Sequence, residues 1–328
     1  MKKIIITSIF SILFNIVSLG QSLQKTILSH EGVLTQYNSN HWQEAFADAV
    51  AGDTIYFTPG TFTGSLTISK PVTMIGPGVG LTDCFNDLYA DCYKEGESAQ
   101  LTGNITISLT DTQASTPFLI EGLYFKTTVL QSTPMSNLTI RRCHFNGELF
   151  SNSSTGVALT NLLLENCYFY NLNCRSMNNP TIQNCYIRYM QAAVDLGITF
   201  TNCVVEGCGK LSGTLCDGSN FHNSIICSPV TSGNGTPKYS NFVNCIYNSN
   251  DQNSTYTDCW QLNTGSTMTA AQLSEAGYIG TDGSVVGPFG GPAPFTMIPT
   301  QPYVSSSSVA YDATTKKLNV NITVKKGK

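Results

Sequence analysis

Charged side chains are scarce in this sequence. Asp, Glu, Lys and Arg together make up 12% of the 328 residues, and the formal net charge is -4. So little charge of either sign gives no electrostatic reason to expect a nucleic acid or an acidic membrane as a partner. The apolar fraction of 41% is nevertheless large enough for a substantial core.

Metal-binding patterns are scarce as well. The four His are scattered, and the twelve Cys include no CxxC pair. The sequence therefore shows none of the ligand spacings of a zinc site, and it leaves the identity of any metal unknown.

Only the start of the chain carries the pattern of a targeting segment. Lys2 and Lys3 precede an apolar run from Ile4 to Leu19, and small residues follow before Gln21. This pattern predicts a secretory signal peptide over residues 1-20, because the run is too short for a membrane span. We expect an exported protein, secreted or held at the cell surface, whose mature part has no transmembrane segment.

Export has a consequence for the cysteines, because disulfides form outside the cytosol. The best candidate pair is Cys84 and Cys92, which stand in a polar stretch outside the repeats described next.

A short phrase returns seven times between Phe118 and Asn248. The copies read FLIEGLYF, LTIRRCHF, LLLENCYF, PTIQNCYI, ITFTNCVV, SNFHNSII and SNFVNCIY. They recur at intervals of 20, 24, 18, 18, 21 and 21 residues when aligned on Leu123, Cys143, Cys167, Cys185, Cys203, Ser224 and Cys245. Such a period predicts a solenoid.

Each copy alternates apolar and polar residues on both sides of a central Asn, which predicts two short strands joined at a sharp corner. Stacked coils place the corner residues about 4.8 Å apart. We expect the amides of this column to hydrogen-bond up and down the stack as a structural ladder. The column consists of Asn166, Asn184, Asn202, Asn223 and Asn244.

The cysteines of the repeat form a further inward column after the corner. We expect free thiols there, because side chains that project in parallel rarely meet the torsion of a disulfide. The alternative solenoid is a leucine-rich repeat, since LLLEN resembles part of its consensus, but that repeat does not continue with alternating residues after an Asn-Cys pair.

The two ends of the chain differ from the repeats. Residues 41-51 place Trp42, Ala45, Phe46, Ala49 and Val50 on one face of a short helix that can close the end of a solenoid. We therefore predict an N-terminal cap over residues 21-52, a parallel β-helix over 53-267, a Gly- and Pro-rich cap or linker over 268-302, and a β-hairpin over 303-328.

The stretch from Gly52 to Gly78, GDTIYFTPGTFTGSLTISKPVTMIGPG, resembles the opening coil of right-handed parallel β-helix proteins of the pectin-lyase-like superfamily. The nearest likeness is to exported bacterial members that also carry a DGxxVGxxGGxxPF phrase, found here from Asp282 to Phe295. This resemblance implies an all-β, right-handed parallel β-helix. It does not fix a function, because the same coil serves lyases, hydrolases, epimerases, tailspikes and adhesins.

An enzyme of this superfamily implies one of two catalytic patterns. A lyase needs a Lys or Arg base, with Ca²⁺ or another cation to neutralise a uronate, and a hydrolase needs neighbouring carboxylates. The candidates here are Arg175, Arg188, Asp195 and Asp217. The sequence lacks the Asp-Asp, Gly-His-Gly and Arg-x-Pro-x-x-Arg phrases of such enzymes, and Asp217 in CDGS also fits a turn former.

Outward positions after the corner are rich in rings. The predicted outward row is Tyr124, His144, Tyr168 and Tyr186 on four adjacent coils, with Lys126, Tyr170 and Arg188 one strand step on. Aromatic faces flanked by hydrogen-bonding groups suit sugar rings, so these residues are candidates for substrate binding. The alternative is that the stacked rings only stabilise neighbouring strands.

Two functions follow from these patterns. The first is an exported β-helix protein that engages extracellular polysaccharide, with lyase or glycoside hydrolase activity undecided. The alternative is a non-catalytic cell-surface or adhesive protein whose helix serves as a spacer. The sequence does not fix the oligomeric state.

Overall fold

The computed structural model has an all-β architecture, with 44% of residues in strands and 9% in helices, as predicted. It is a β-solenoid built from stacked parallel strands. The residues described are 24-81, 87-150, 158-191, 198-208, 218-227, 240-248, 253-262, 267-312, 315 and 317-327.

Sheet A is the face that precedes the predicted Asn corner. Its first two strands form an antiparallel hairpin against the third, and all later strands pair in parallel. With strands numbered in chain order, sheet A consists of β1 (Lys25–His30), β2 (Val33–Asn38), β3 (Thr54–Phe57), β6 (Thr73–Ile75), β9 (Phe118–Glu121), β13 (Leu138–Arg141), β16 (Leu163–Glu165), β19 (Thr181–Gln183), β21 (Thr199–Thr201), β23 (Asn220–His222), β25 (Asn241–Val243) and β27 (Thr255–Thr257).

Sheet B follows the corner. Each of its strands pairs in parallel with the equivalent strand of the next coil. Its members are β4 (Gly60–Phe62), β5 (Leu66–Ile68), β7 (Ala99–Leu101), β8 (Ile105–Ile107), β10 (Tyr124–Phe125), β11 (Val129–Gln131), β14 (His144–Leu149), β17 (Tyr168–Asn173), β20 (Tyr186–Gln191), β22 (Val204–Cys208), β24 (Ile225–Ile226), β26 (Ile246–Tyr247) and β28 (Trp260–Gln261).

The remaining elements are a third sheet, a C-terminal hairpin and short helices. Sheet C has three parallel strands, β12 (Met135–Ser136), β15 (Leu159–Thr160) and β18 (Met177–Asn178). The C-terminal hairpin consists of β29 (Tyr303–Asp312) and β30 (Lys317–Lys325). The helices are α1 (Glu44–Asp48), α2 (Ala270–Glu275) and the 3-10 helices Ser39–His41 and Asp87–Cys92.

The core lies inside the solenoid and is made by the inward residue of each alternating pair. Phe200, Phe221, Phe242 and Tyr256 stack ring on ring on four successive strands of sheet A, with centroids 4.8-5.0 Å apart. This stacking follows from parallel pairing in register, which places equivalent residues one strand spacing apart. Strands follow the corner directly, so the leucine-rich repeat interpretation is wrong.

The corner has the predicted left-handed backbone. The φ angles of Asn166, Asn184, Asn202, Asn223 and Asn244 lie between 49° and 54°. Asn adopts this conformation more readily than other residues with a side chain. In two earlier coils the same corner holds Gly122 and Arg142, also with positive φ.

The partners of the corner amides differ from the prediction. Among the described residues these amides do not bond one another, and three of the five, Asn166, Asn184 and Asn223, bond residues 278-300, which we call the strap. The Asn184 amide donates to the carbonyl oxygens of Pro288 and Gly290 at 3.0 and 2.7 Å. The strap follows the last coil and folds back along the outside of the stack, so it covers the corner.

The strap makes matching contacts along its length. Asn223 Oδ1 accepts from the Thr281 N–H at 3.0 Å, and Asn166 Oδ1 accepts from the Thr296 N–H at 3.0 Å. Close approach also explains the glycine content, since a Cβ at Gly280 would lie 2.6 Å from Asn223 Cγ. The Gly- and Pro-rich segment is therefore packed against the side of the solenoid over several coils.

A second Asn column, which the sequence interpretation missed, lies at the corner before sheet A. Asn137, Asn161 and Asn179 have φ angles of 61°, 51° and 48°. The Asn161 amide donates to Asn137 Oδ1 at 3.2 Å. This pair makes the coil-to-coil amide bond that was expected at the other corner.

The cysteine column is buried and holds free thiols, as predicted. Cys143 Sγ contacts the Arg141 carbonyl oxygen at 3.3 Å, and the later thiols repeat this contact. Burial raises the pKa of Cys143 to about 12. The free thiols of the column are Cys143, Cys167, Cys185, Cys203 and Cys245.

The Cys84–Cys92 pairing remains a prediction, because Cys84 lies outside the described residues. Cys92 ends the 3-10 helix, and its carbonyl oxygen accepts from the Met297 N–H at 2.6 Å.

The N-terminal helix is shorter than predicted. α1 buries Ala45 and Phe46 beside the fully buried Trp42, but it ends at Asp48. Val50 therefore lies beyond the helix and is 48% exposed, which corrects its predicted place on the buried face. The Lys70 ammonium group binds the last carbonyls of this segment, at 2.7 Å from Ala47 and 2.6 Å from Ala49. Whether the helix serves as a cap and whether the coil is right-handed remain predictions.

We predict that Asn184→Gly lowers the free energy of unfolding by about 1-3 kcal/mol, because it leaves two strap carbonyls without their donor. Glycine keeps the left-handed backbone, so the loss reports the amide alone. Urea unfolding of the purified chain measures it.

The matched control is Asn244→Gly. Asn244 has the same φ of 50°, and no strap bond to its side chain is recorded among the described residues. Equal losses for the two variants would show that the strap bonds contribute nothing.

Candidate functional site

The predicted aromatic row lies on consecutive coils. Tyr124, His144, Tyr168 and Tyr186 pair in register along sheet B. Their ring centroids are 4.4, 4.7 and 5.1 Å apart in sequence order. The expected spacing is therefore confirmed.

The expected exposure of this row is wrong. The four residues are 7%, 0%, 5% and 3% exposed. Tyr89 of the 3-10 helix packs edge-on against Tyr186 at 4.9 Å, and Phe289 of the strap stacks on Tyr89 at 5.4 Å. A ligand therefore reaches the Tyr186 ring only by displacing Tyr89.

Two residues of the row, Tyr168 and Tyr186, belong to a second hydrophobic core between the solenoid and the strap. Val204, Ile225 and Ile246 continue the row on later coils, and Val286, Phe295 and Met297 come from the strap. This core explains why the outward column changes from rings to aliphatic residues without becoming polar. The burial of all four side chains favours the structural interpretation of Tyr124, His144, Tyr168 and Tyr186.

A smaller exposed surface remains one strand step further along sheet B. We call it the Tyr170 patch; its residues are Lys126, Asn146, Tyr170, Arg188 and Tyr189. Lys126, Asn146 and Tyr170 are exposed, the last at 37%, and Arg188 and Tyr189 are partly exposed. Three predicted site residues, Lys126, Tyr170 and Arg188, thus lie together on an accessible surface.

The geometry of the patch centres on Arg188. Its guanidinium carbon lies 5.1 Å from the Tyr170 ring centroid and 5.5 Å from that of Tyr189. The two rings meet edge to face at 5.4 Å. On the next coil, Glu206 Oε2 lies 4.0 Å from Arg188 Nε. A cation held between two rings in this way keeps a fixed orientation.

Tyr189 was missed because the alternation of the repeat breaks where the strand bends. In YIRYMQ both Arg188 and Tyr189 are partly exposed before Met190 turns inward. The preceding coil does the same with Tyr170 and Asn171. The sequence signal for Tyr189 was a pair of successive non-core residues at the same place in two neighbouring coils.

The covered row is linked to the patch through Glu206, which also faces Arg188. The Tyr186 hydroxyl donates to Glu206 Oε1. Burial raises the pKa of both Tyr168 and Tyr186 above the usual value. These phenols are therefore protonated at neutral pH and can donate a proton or a hydrogen bond, but they are poor bases.

Of the predicted catalytic residues, Arg175 and Arg188 lie in the described part of the chain. Arg175 is exposed in the turn after β17, where its N–H donates to Asn173 Oδ1 at 3.1 Å, and Arg188 lies on β20. Asp195 and Asp217 lie outside the described residues. Their pairing and any Ca²⁺ requirement remain predictions.

The described residues contain neither a metal-ligand cluster nor a membrane-spanning helix. No group of three or more His, Cys, Asp or Glu there is placed to hold a metal ion. The helices in this part of the chain are too short or too polar to cross a membrane.

Comparisons with protein-family models, curated proteins and solved structures found no match.

We predict that acid destabilises this protein through His144. Burial lowers the pKa of His144 to about 3, whereas an unfolded His titrates near 6.5. Between these values the unfolded chain binds a proton that the folded chain does not, so stability falls as the pH drops from about 6.5 towards 3, by up to about 1.4 kcal/mol per unit.

Urea unfolding of the parent and of His144→Phe at pH 7.5 and pH 5 measures this contribution. The parent should lose about 1-2 kcal/mol more than the variant, in which a neutral ring fills the row. His41→Gln is the control, because the His41 side chain is 62% exposed. Identical pH dependence of the parent and His144→Phe would contradict the prediction.

Proposed function

We propose that this chain is an exported β-helix protein that engages extracellular polysaccharide through the Tyr170 patch. The observation that carries the proposal is the exposed Tyr170 ring, held beside the Arg188 cation on a solenoid face that the strap leaves uncovered. Sugar rings combine an apolar face with a polar rim, and rings flanked by polar groups match both.

The polar groups beside the ring have suitable chemistry. Lys126 and Arg188 offer cationic donors, and Asn146 offers an amide that both donates and accepts. The patch extends over four coils, or about 14 Å at 4.8 Å per coil, which is enough for an extended chain of a few sugar units. A rigid sheet holds the groups in place, so little order has to be gained on binding.

The resemblance of residues 52-78 to the pectin-lyase-like superfamily supports this proposal and makes a right-handed coil part of it. The proposal includes export because the sequence predicts a signal peptide, whose residues lie outside the described part of the chain.

A catalytic form of the proposal is a polysaccharide lyase or glycoside hydrolase that uses Arg175 or Arg188 with Asp195 or Asp217. A lyase would add Ca²⁺ to neutralise a uronate. Incubating the mature chain with uronate-rich and neutral polysaccharides, with and without Ca²⁺, tests this form. New unsaturated products identify a lyase, and new reducing ends identify a hydrolase.

The alternative function is a non-catalytic surface or adhesive protein. The burial of the aromatic row favours it, because Tyr168 and Tyr186 pack with strap residues in the second core and are not accessible to a ligand. Absence of product on every polysaccharide supports this alternative. Glycan binding without turnover would indicate a non-catalytic surface protein that binds polysaccharide, which is consistent with both proposals.

We predict that Tyr170→Ala and Arg188→Gln each weaken binding of a polysaccharide that the parent binds by about tenfold, since each removes one principal contact. The melting temperature should change little, because both side chains are partly exposed. Calorimetric titration and a thermal melt measure the two effects.

Tyr56→Ala is the matched control, because Tyr56 is a partly exposed outward tyrosine of β3 on the other sheet. Two outcomes reject the patch as the binding surface. One is loss of affinity in the control alone, and the other is a lower melting temperature with unchanged affinity in the Tyr170→Ala variant.

A further inference from the structure

A small cavity lies on the outer face of sheet A, away from the Tyr170 patch. Its volume is about 220 Å³. Its lining consists of Asn179, Pro180, Thr181, Ile182, Thr199 and Thr201. None of these side chains is charged.

The register of sheet A explains why the surface is hollow here. Thr181 pairs with Thr199 on the next coil, and Thr201 stands two residues further along the same strand. Longer side chains occupy the same columns on both sides, Leu163 on the coil before and His222 on the coil after. Three short β-branched residues between longer ones leave a depression.

The threonine hydroxyls of the cavity can form further hydrogen bonds. Within the described part of the chain, no hydrogen bond is recorded for the side chains of Thr181, Thr199 or Thr201. Elsewhere on the same face, Thr255 Oγ1 donates to Asn241 Oδ1 at 2.8 Å. The cavity hydroxyls are thus available to a ligand, and each can donate and accept.

Asn179 adds an amide at the rim. It stands at the same corner as Asn137 and Asn161, which bond each other at 3.2 Å. Asn179 is exposed and lines the cavity together with the threonines. Pro180 and the threonine methyl groups supply apolar surface beside these polar atoms.

We propose that this cavity binds one neutral sugar unit of a glycan. Uncharged hydroxyl and amide groups around an apolar floor match the apolar face and the hydroxyl rim of a pyranose ring. The volume is below the roughly 300-1,000 Å³ typical of sites for drug-sized ligands, so it suits a single ring rather than a whole oligosaccharide. This inference rests on the proposed glycan binding and assigns a second, uncharged contact on another face.

The test uses the mature chain with neutral hexasaccharides of β-linked glucose, mannose and xylose, and an oligogalacturonate of the same length as the acidic probe. The variant is Thr181→Val with Thr199→Val, which removes two hydroxyls while keeping the β-branched shape. Thr139→Val is the matched control, because Thr139 occupies the same outward column two coils earlier.

We expect at least one neutral hexasaccharide to bind the parent and to lose about tenfold in affinity for the double variant, as expected for two lost hydrogen bonds. Thr139→Val should keep the parent affinity. Chemical shifts of labelled threonine methyl groups should move for Thr181, Thr199 and Thr201 when that probe is added.

Unchanged affinity in the double variant overturns the inference, and so does failure of every neutral probe to bind. The acidic probe separates this result from the wider proposal. Oligogalacturonate binding that depends on Tyr170 or Arg188 leaves the proposed function standing without the cavity, whereas no binding of any probe overturns both.

Discussion

Each coil of this solenoid depends on one residue with a left-handed backbone at the corner between its two main sheets. Asn meets that requirement at lower cost than most residues, and from Asn166 to Asn244 it adds an amide at the same place on five successive coils. In the folded chain this amide binds the strap, as the bonds of Asn184 to Pro288 and Gly290 show. One residue type therefore sets the turn of the coil and holds the segment that covers it.

The strap decides which outward residues can meet a ligand. Tyr186 and Tyr170 both point away from the first core, but Tyr186 lies under Tyr89 and is 3% exposed, whereas Tyr170 lies beyond the covered zone and is 37% exposed. A ring under the strap contributes to stability through burial, and a ring beyond it is available for binding. Tyr168 and Tyr170 are only two residues apart on β17, yet the first is buried and the second is exposed.

The sequence predicts the features that depend on neighbouring coils and misses those that depend on distant segments. Alternation around Asn184 and Cys185 was enough for the strands, the corner and the inward columns, because each repeats at a fixed interval. The strap binds that same Asn184 across a separation of 104 residues, and no repeat phrase carries this contact. The Gly- and Pro-rich composition signalled an ordered segment but not the surface that it covers, so the exposure of the row was predicted wrongly.

The chemistry around the Tyr170 patch favours binding over proton abstraction. Burial raises the pKa of the Tyr168 and Tyr186 phenols, so neither is a ready base. Glu206 already accepts the Tyr186 hydroxyl and faces Arg188, and Arg188 stays protonated at neutral pH. A lyase or hydrolase form therefore needs its base from outside this patch, from Arg175 in a lyase or from Asp195 or Asp217, which lie beyond the described residues, in a hydrolase. The proposed glycan binding needs no such group, because it rests on contacts to the Tyr170 ring and the Arg188 cation.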